Sequence, residues 1–330
     1  MKYHQLTSQQ RSQIFALLQR KTSRKEIASI VGCSQSTLSR EIRRNSTAKG
    51  NYLWDKAHAK AMERRKRSTS NRAKDPLVVW EALNLLKDED WSPEQISSDM
   101  KKRGKSISHE LIYRHIRADQ TGRLASHCRH KMKYNRHGRP DRTTKVKNIP
   151  DRVSIHQRPP QADGTRFGDW EMDTIVGKDG KGAILTLTER STNMTLMEKL
   201  PHGKHPEPLA KIVIRLLFPY RHTIKSITTD NGSEFCCHKL ISKALAPKEV
   251  RNPNLVFFAD SYSSWQKGAI ENANKLIRQY IPKGTDFSII TDDFIRKIQH
   301  KLNRRPRKKL NFESPKNVFF RKIANFAVAG

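Results

Sequence analysis

The chain has 330 residues, 35% of them hydrophobic, which suits two or three domains with a modest core each and excludes wholesale disorder. Lys and Arg number 65 against 32 Asp and Glu, a formal net charge of +33, so the expected partner is a polyanion. No apolar run reaches the roughly 18 residues of a membrane span, and the first residues lack the apolar stretch of a signal peptide. Four cysteines without a CxxC pair exclude a disulfide framework, so the expectation is a cytoplasmic protein with no membrane contact.

Residues 11–19 carry Ile14, Leu17 and Leu18 at helical spacing. Ser23 and Glu26 read as a capping box that opens a second helix, with Ile27, Ile30 and Val31 inward and Gly32 as its left-handed stop. A third helix starts near Ser34 with Leu38 and Ile42 inward. Its other faces hold Gln35, Ser36, Thr37, Ser39, Arg40, Arg43 and Arg44, side chains suited to base edges and phosphates. That order is a helix-turn-helix plan, although a plain three-helix bundle shares the periodicity. Residues 52–67 read as a connecting helix that ends in four cations.

The pattern then returns. Ser92-Pro93-Glu94-Gln95 opens a helix through Ile96 and Met100, Gly104 breaks it, and Ser108 caps His109 to Arg117. Leu111, Ile112 and Ile116 face inward there, leaving His109 and Arg114 among the outward candidates for DNA. Residues 101–150 hold 15 basic residues against 3 acidic ones, among them Arg129, Lys133, Arg136, Arg142 and Lys147, and read as a linker able to track a phosphate backbone. His127, Cys128, His130 and His137 match no zinc-finger spacing and lie among cations that oppose a metal ion. The expected division is 1–50 for the first helix-turn-helix unit, 51–120 for connecting helices and the second unit, 121–160 for the linker, and 161–330 for a catalytic domain with C-terminal helices.

From Phe167 the period changes to two. Strands are expected at 170–176, 183–187, 194–197, 224–229 and 255–258, with helices at about 209–217, 234–245 and 264–280, a mixed α/β sheet with helices against it. Three carboxylates stand on separate elements: Asp173 on the first strand, Asp230 just past a strand end, Glu271 on a helix. Meeting at one sheet end, they would repel unless divalent cations neutralised them, and hard oxygen donors suit Mg²⁺. Lys267, Lys275 and Arg278 share the Glu271 helix and are candidates for holding DNA backbone. Each carboxylate also has a plainer reading: Asp230-Asn231-Gly232 is a good turn, Asp173 suits a solvent-facing strand position, and Glu271 can pair with Lys267 or Lys275. Trp265 either fills the core under its helix, the reading burial favours, or stacks beside the site.

Thr228 to Phe235, Tyr262 to Gly268, Glu271 to Asn274, Trp170 to Gly177, Asn303 to Arg307, Leu38 to Asn45 and Ser108 to Tyr113 together resemble transposases of the insertion sequence 30 family, over nearly the whole chain. The resemblance implies a ribonuclease-H-like (DDE integrase-type) catalytic domain behind all-α helix-turn-helix units, in a multidomain chain. It places the catalytic and metal-binding triad on Asp173, Asp230 and Glu271, with Mg²⁺ as cofactor and Mn²⁺ able to substitute. The implied partners are double-stranded DNA, as terminal inverted repeats and target, and a second copy of the chain in a synaptic dimer, in a bacterial nucleoid setting. Two departures stand out: the Asp230 to Glu271 interval is longer than the family's, with the extra residues around Pro247 to Pro253, and Ser261 replaces a proline. A longer surface loop costs little closure entropy, so the triad is still expected to assemble. The rival readings are a DNA-binding regulator without catalysis and a metal-dependent nuclease that joins nothing.

Overall fold

Thr7 opens the first helix, α1 (Ser8–Gln19), with a complete capping box: its hydroxyl accepts the Gln10 N–H, and the Gln10 carboxamide accepts the Thr7 N–H. Ser23 starts α2 (Arg24–Val31) by accepting the Glu26 N–H, one half of the expected box, and Gly32 ends it at φ 72°. Ser34 caps α3 (Gln35–Asn45), and α4 (Trp54–Arg67) follows. Ile14, Ile27, Ala28, Val31, Leu38, Tyr52 and Ala57 form the core of this bundle. Ile30, expected inside, is 56% exposed. In so short a helix Ile27, Ala28 and Val31 define the inner face, and Ile30 lies about 100° round from its centre. Beneath the bundle Arg11 is buried, with its Nε 2.7 Å from Glu41, its guanidinium donating to the Leu6 carbonyl, and Tyr52 donating its hydroxyl to the same carboxylate at 3.2 Å.

This computed structural model describes residues 5–67, 74–132, 149–247, 253–261 and 263–329, which divide into two compact units, Met1–Lys74 and Asp75–Gly330. Lys133, Arg136, Arg142 and Lys147 of the basic segment, His137, Tyr262 and part of the expected loop insertion lie outside the described residues.

The second unit begins with α5 (Pro76–Glu89), capped by Asp75 with proline at its first turn. α6 (Pro93–Lys102) carries the complete Ser92–Gln95 box, α7 (His109–Ala118) is capped by Ser108, and α8 (Arg123–Ser126) is a single turn. Ala82, Leu86, Trp91, Ile96, Met100, Ile107, Ile112 and Ile116 pack together.

Five strands follow: β1 (Asp169–Val176), β2 (Ala183–Glu189), β3 (Thr195–Leu200), β4 (Ser226–Thr229) and β5 (Val256–Phe258), in the order β3-β2-β1-β4-β5. The first three run antiparallel; β4 pairs parallel to β1 and β5 parallel to β4. This is the mixed sheet with helices against it that the sequence predicts. The period of two sorts its faces. Trp170, Met172 and Leu185 pack under α9 (Pro206–Leu217) and α10 (His238–Leu245). Ile175, Ile184 and Met197 pack under α11 (Gly268–Ile277) and α12 (Asp292–Arg304). α13 (Pro315–Ala329) adds Phe319 to the first side. The helix expected at 264–280 is split, its first turn Ser264–Lys267 being 3₁₀. Gly168 permits the close approach that seats β1 beside β4: at φ 96° its carbonyl accepts the Lys225 N–H, and a Cβ there would stand 1.8 Å from the Thr223 carbonyl oxygen.

Candidate active site and nucleic-acid surface

The register of β1 against β4 sets Asp169 opposite Ser226 and Glu171 opposite Thr228. Continued by two residues, it brings Asp173 level with Asp230, the first residue beyond β4. Between the two carboxylates lies a buried cation: Lys267 Nζ is 3.3 Å from Asp230 Oδ2 and 3.9 Å from Asp173 Oδ1. Asn274, two turns beyond Lys267 on α11, donates its amide N–H to Asp173 Oδ2 at 2.9 Å and accepts the Thr186 hydroxyl at 3.1 Å, and the Thr174 N–H donates to the other Asp173 oxygen at 2.9 Å. Burial raises the Asp173 carboxyl above its ordinary range; Lys267 works against that rise and Asp230 adds to it. Asp230 is tied to its own turn by the Gly232 N–H at 3.1 Å.

Glu271 sits on α11 one turn before Asn274, but its ion-pair partner is Lys275, 3.5 Å away in an i,i+4 pair. The geometry thus joins Asp173 with Asp230 through Lys267 and does not bring Glu271 into that cluster, its ion pair being the local one on α11. Among the described residues no group of three or more His, Cys, Asp or Glu side chains is arranged to hold a metal ion. The donor chemistry of the pair nevertheless fits a hard cation, since two carboxylates already share one positive charge at Lys267.

Of the residues expected on DNA, Gln35, Ser36, Arg40, Arg43 and Arg44 are exposed on α3 and Thr37 and Ser39 are half-buried. Ser36 and Arg40 are bonded to each other, the guanidinium donating to the Ser36 hydroxyl at 3.1 Å. His109 and Arg114 are exposed on α7 and Lys275 on α11. Lys267 is buried between the aspartates, and Arg278 is half-buried with its guanidinium against the carbonyls of Val176 and Pro282. Trp265 is not a core residue: it is 75% exposed, one residue pair before Lys267. It stands on the 3₁₀ turn that precedes α11, outside the helix whose apolar face is buried.

Residues 2–45 match the family model described as a helix-turn-helix domain. The chain is 41% identical to the transposase for insertion sequence element IS4351 of Bacteroides fragilis, over 97% of this chain and 96% of that one. It is 36% identical to the transposase for IS1086 of Cupriavidus metallidurans, over 98% and 96%, and 32% identical to transposase InsI for IS30A of Escherichia coli, over 97% and 84%. The chain belongs to the insertion sequence 30 family of transposases. Among solved structures, the catalytic core domain of BIV integrase aligns with 48% of this chain and 98% of its own, at 18% identity and a TM-score of 0.37.

In this insertion sequence 30 family member, two supporting carboxylates escaped the sequence reading. Glu171, on the same β1 face as Asp173, accepts the Ile270 N–H at 2.8 Å and pairs with Arg190 Nε at 2.8 Å. It thereby supplies, from the strand, the cap that α11 lacks in its own sequence. Glu234, buried behind the Asp230 turn, accepts the Thr174 hydroxyl at 3.0 Å and holds Lys204 at 2.5 Å. The alternation of β1 was the signal for Glu171; Glu234 carried none, because its role depends on how the turn after β4 folds back.

Proposed function

We propose that this chain is an active DNA transposase. Its helix-turn-helix surface binds the terminal inverted repeats of its element, and its site between β1 and the end of β4 cleaves the ends and joins the freed 3′-hydroxyls to target DNA. The observation that carries this reading is the convergence of Asp173 and Asp230 across the β1–β4 ladder onto one shared cation. Asp173, Asp230 and Glu271 would hold Mg²⁺, or Mn²⁺ in its place. Bound there, the ion would activate the attacking oxygen and stabilise the leaving one in phosphodiester exchange.

The chain's own groups prepare that site. Asn274 fixes the rotamer of Asp173 by donating to one oxygen, and Glu171 anchors the first turn of α11, which sets the position of Glu271. Lys267 compensates the aspartate pair and offsets its mutual repulsion where β1 and β4 run side by side. Trp265, exposed beside this cluster, offers an aromatic face on which a base can stack. Arg40, Arg43 and Arg44 on α3 bring cations to phosphate and base edges. No side chain acts as a covalent nucleophile in this reading, and the chain works as a dimer that holds two element ends.

The test is a Mg²⁺-dependent cleavage and strand-transfer assay on DNA carrying the element's own ends. Asp230→Asn is expected to bind that DNA as wild type does while losing cutting and joining by at least about a hundredfold, the scale of removing charge stabilisation from a reacting centre. Full activity in Asp230→Asn would reduce Asp230 to a turn residue and sink the catalytic reading.

A further inference from the structure

The motif Asn303 to Arg307 has no part in the chemistry above, yet it packs into an unusual place. A cavity of about 130 Å³ lies between the α6–α8 helices and the segment after α12, lined by Tyr113, His127, Cys128, Arg129, His130 and Arg305 among others. Arg305 is only 3% exposed. Its guanidinium donates to two neutral carboxamide oxygens, Gln95 Oε1 at 3.0 Å and Gln279 Oε1 at 3.2 Å. Arg129 donates to the neutral Asn272 Oδ1 at 3.2 Å, and its buried Nε has no partner in the protein. Arg307 stands close enough to both for their charges to oppose its own, and its Nε is buried without a partner as well.

Among the described residues, no carboxylate is within ion-pair distance of any of the three. Asp90, the acid that reaches Arg305 electrostatically, is already taken by His127 Nδ1 at 2.8 Å and Lys301 Nζ at 2.8 Å. Three partly desolvated guanidiniums that repel one another form an expensive arrangement for a folded protein, and the usual resolution is an anion. At roughly 30 Å³ per water, the cavity has room for a phosphate group and some of its hydration. Arg129 also ties it to the active-site helix, because Asn272 follows Glu271 directly.

We propose that this cavity is a phosphate-binding site in which Arg129 and Arg305, with Arg307 alongside, grip one backbone phosphate of the DNA held at the Glu271 helix. The DNA occupant rests on the transposase reading above; the phosphate chemistry does not.

The test uses the full chain in two arms, with Arg129→Gln as the main variant because Arg305 also joins Gln95 to Gln279 and its loss endangers the fold. In the first arm inorganic phosphate, compared with chloride at equal ionic strength, is expected to raise the melting temperature of wild type. It should not raise that of Arg129→Gln, and Arg129→Lys should recover part of the effect. In the second arm duplex DNA affinity is followed against salt, and Arg129→Gln is expected to flatten the log–log slope by about 0.9, one phosphate contact. An equal phosphate effect on wild type and Arg129→Gln, or none on either, overturns the site. A phosphate effect that depends on Arg129 with no change in the DNA slope overturns the backbone occupant and assigns the cavity to free phosphate. Because the first arm contains no DNA, it decides the site even if the chain proves not to process element ends.

Discussion

Lys267 lends itself to a substitution that separates charge compensation from chemistry. Lys267→Met leaves Asp173 and Asp230 facing each other with nothing between them, and the metal-free protein should lose about 1–2 kcal/mol, discounted because Asp230 is half exposed. Adding Mg²⁺ should restore more melting temperature to this variant than to wild type, which thermal melts with and without the ion would read; an unchanged metal-free melt would show that the ammonium is idle. Arg11 presents the opposite case, a deeply buried ion pair with no metal to replace it. Arg11→Ala strands Glu41 and should cost about 3–5 kcal/mol. Tyr52, on the same carboxylate, sets a limit in alkali. Burial, then the Glu41 charge, raise its phenol above the ordinary 10.0, so the folded state keeps a proton that the unfolded state releases. Stability from this group is complete below pH 10 and is lost as the pH climbs past it. A Tyr52→Phe variant should show a shallower alkaline loss of stability in pH-dependent melts of the N-terminal bundle.

Elements differed in how plainly the chain announced them. Helices with a polar cap and a stop were readable, as at Ser92, Ser108 and Gly32, because the cap chemistry is local. α5 was not read although Asp75-Pro76 marks its start: its apolar residues run almost all round the cylinder, so no stripe emerges. At the site, the sequence singles out Asp173 on a strand and Asp230 just past one, and the structure sets both against Lys267. The Lys267 counter-charge was not legible, because it depends on the β1–β4 register and on the 3₁₀ turn before α11. Glu271 showed the limit of spacing alone, since the local pairing with Lys275 competes with the distant one. Gly168 tests the sheet itself. Gly168→Ala drives a methyl into the Thr223 carbonyl at a left-handed φ, and the seating of β1 against β4 should fail at a cost of at least about 3 kcal/mol. A melting temperature within a degree of wild type would mean that the strand ends adjust freely.

At the scale of the molecule, two compact units imply two unfolding events. Calorimetry of the full chain should resolve them, and Arg11→Ala should lower only the transition that belongs to Met1–Lys74. The second helical group belongs instead to the body that holds the sheet, and the bonds are specific: Gln95 donates to the Pro306 carbonyl at 2.7 Å, Lys102 to the Asn311 carbonyl at 2.6 Å, and Glu94 pairs with Lys308 at 2.8 Å. That difference bears on how such a protein can diverge. The first bundle closes its core with its own residues, Ile14, Ile27 and Leu38 among them, so the exposed side of α3 can change while that core stays put. Drift in the second must be matched by the segment between α12 and α13 that holds Pro306, Lys308 and Asn311, so the two helical groups of one chain are free to evolve at very different speeds.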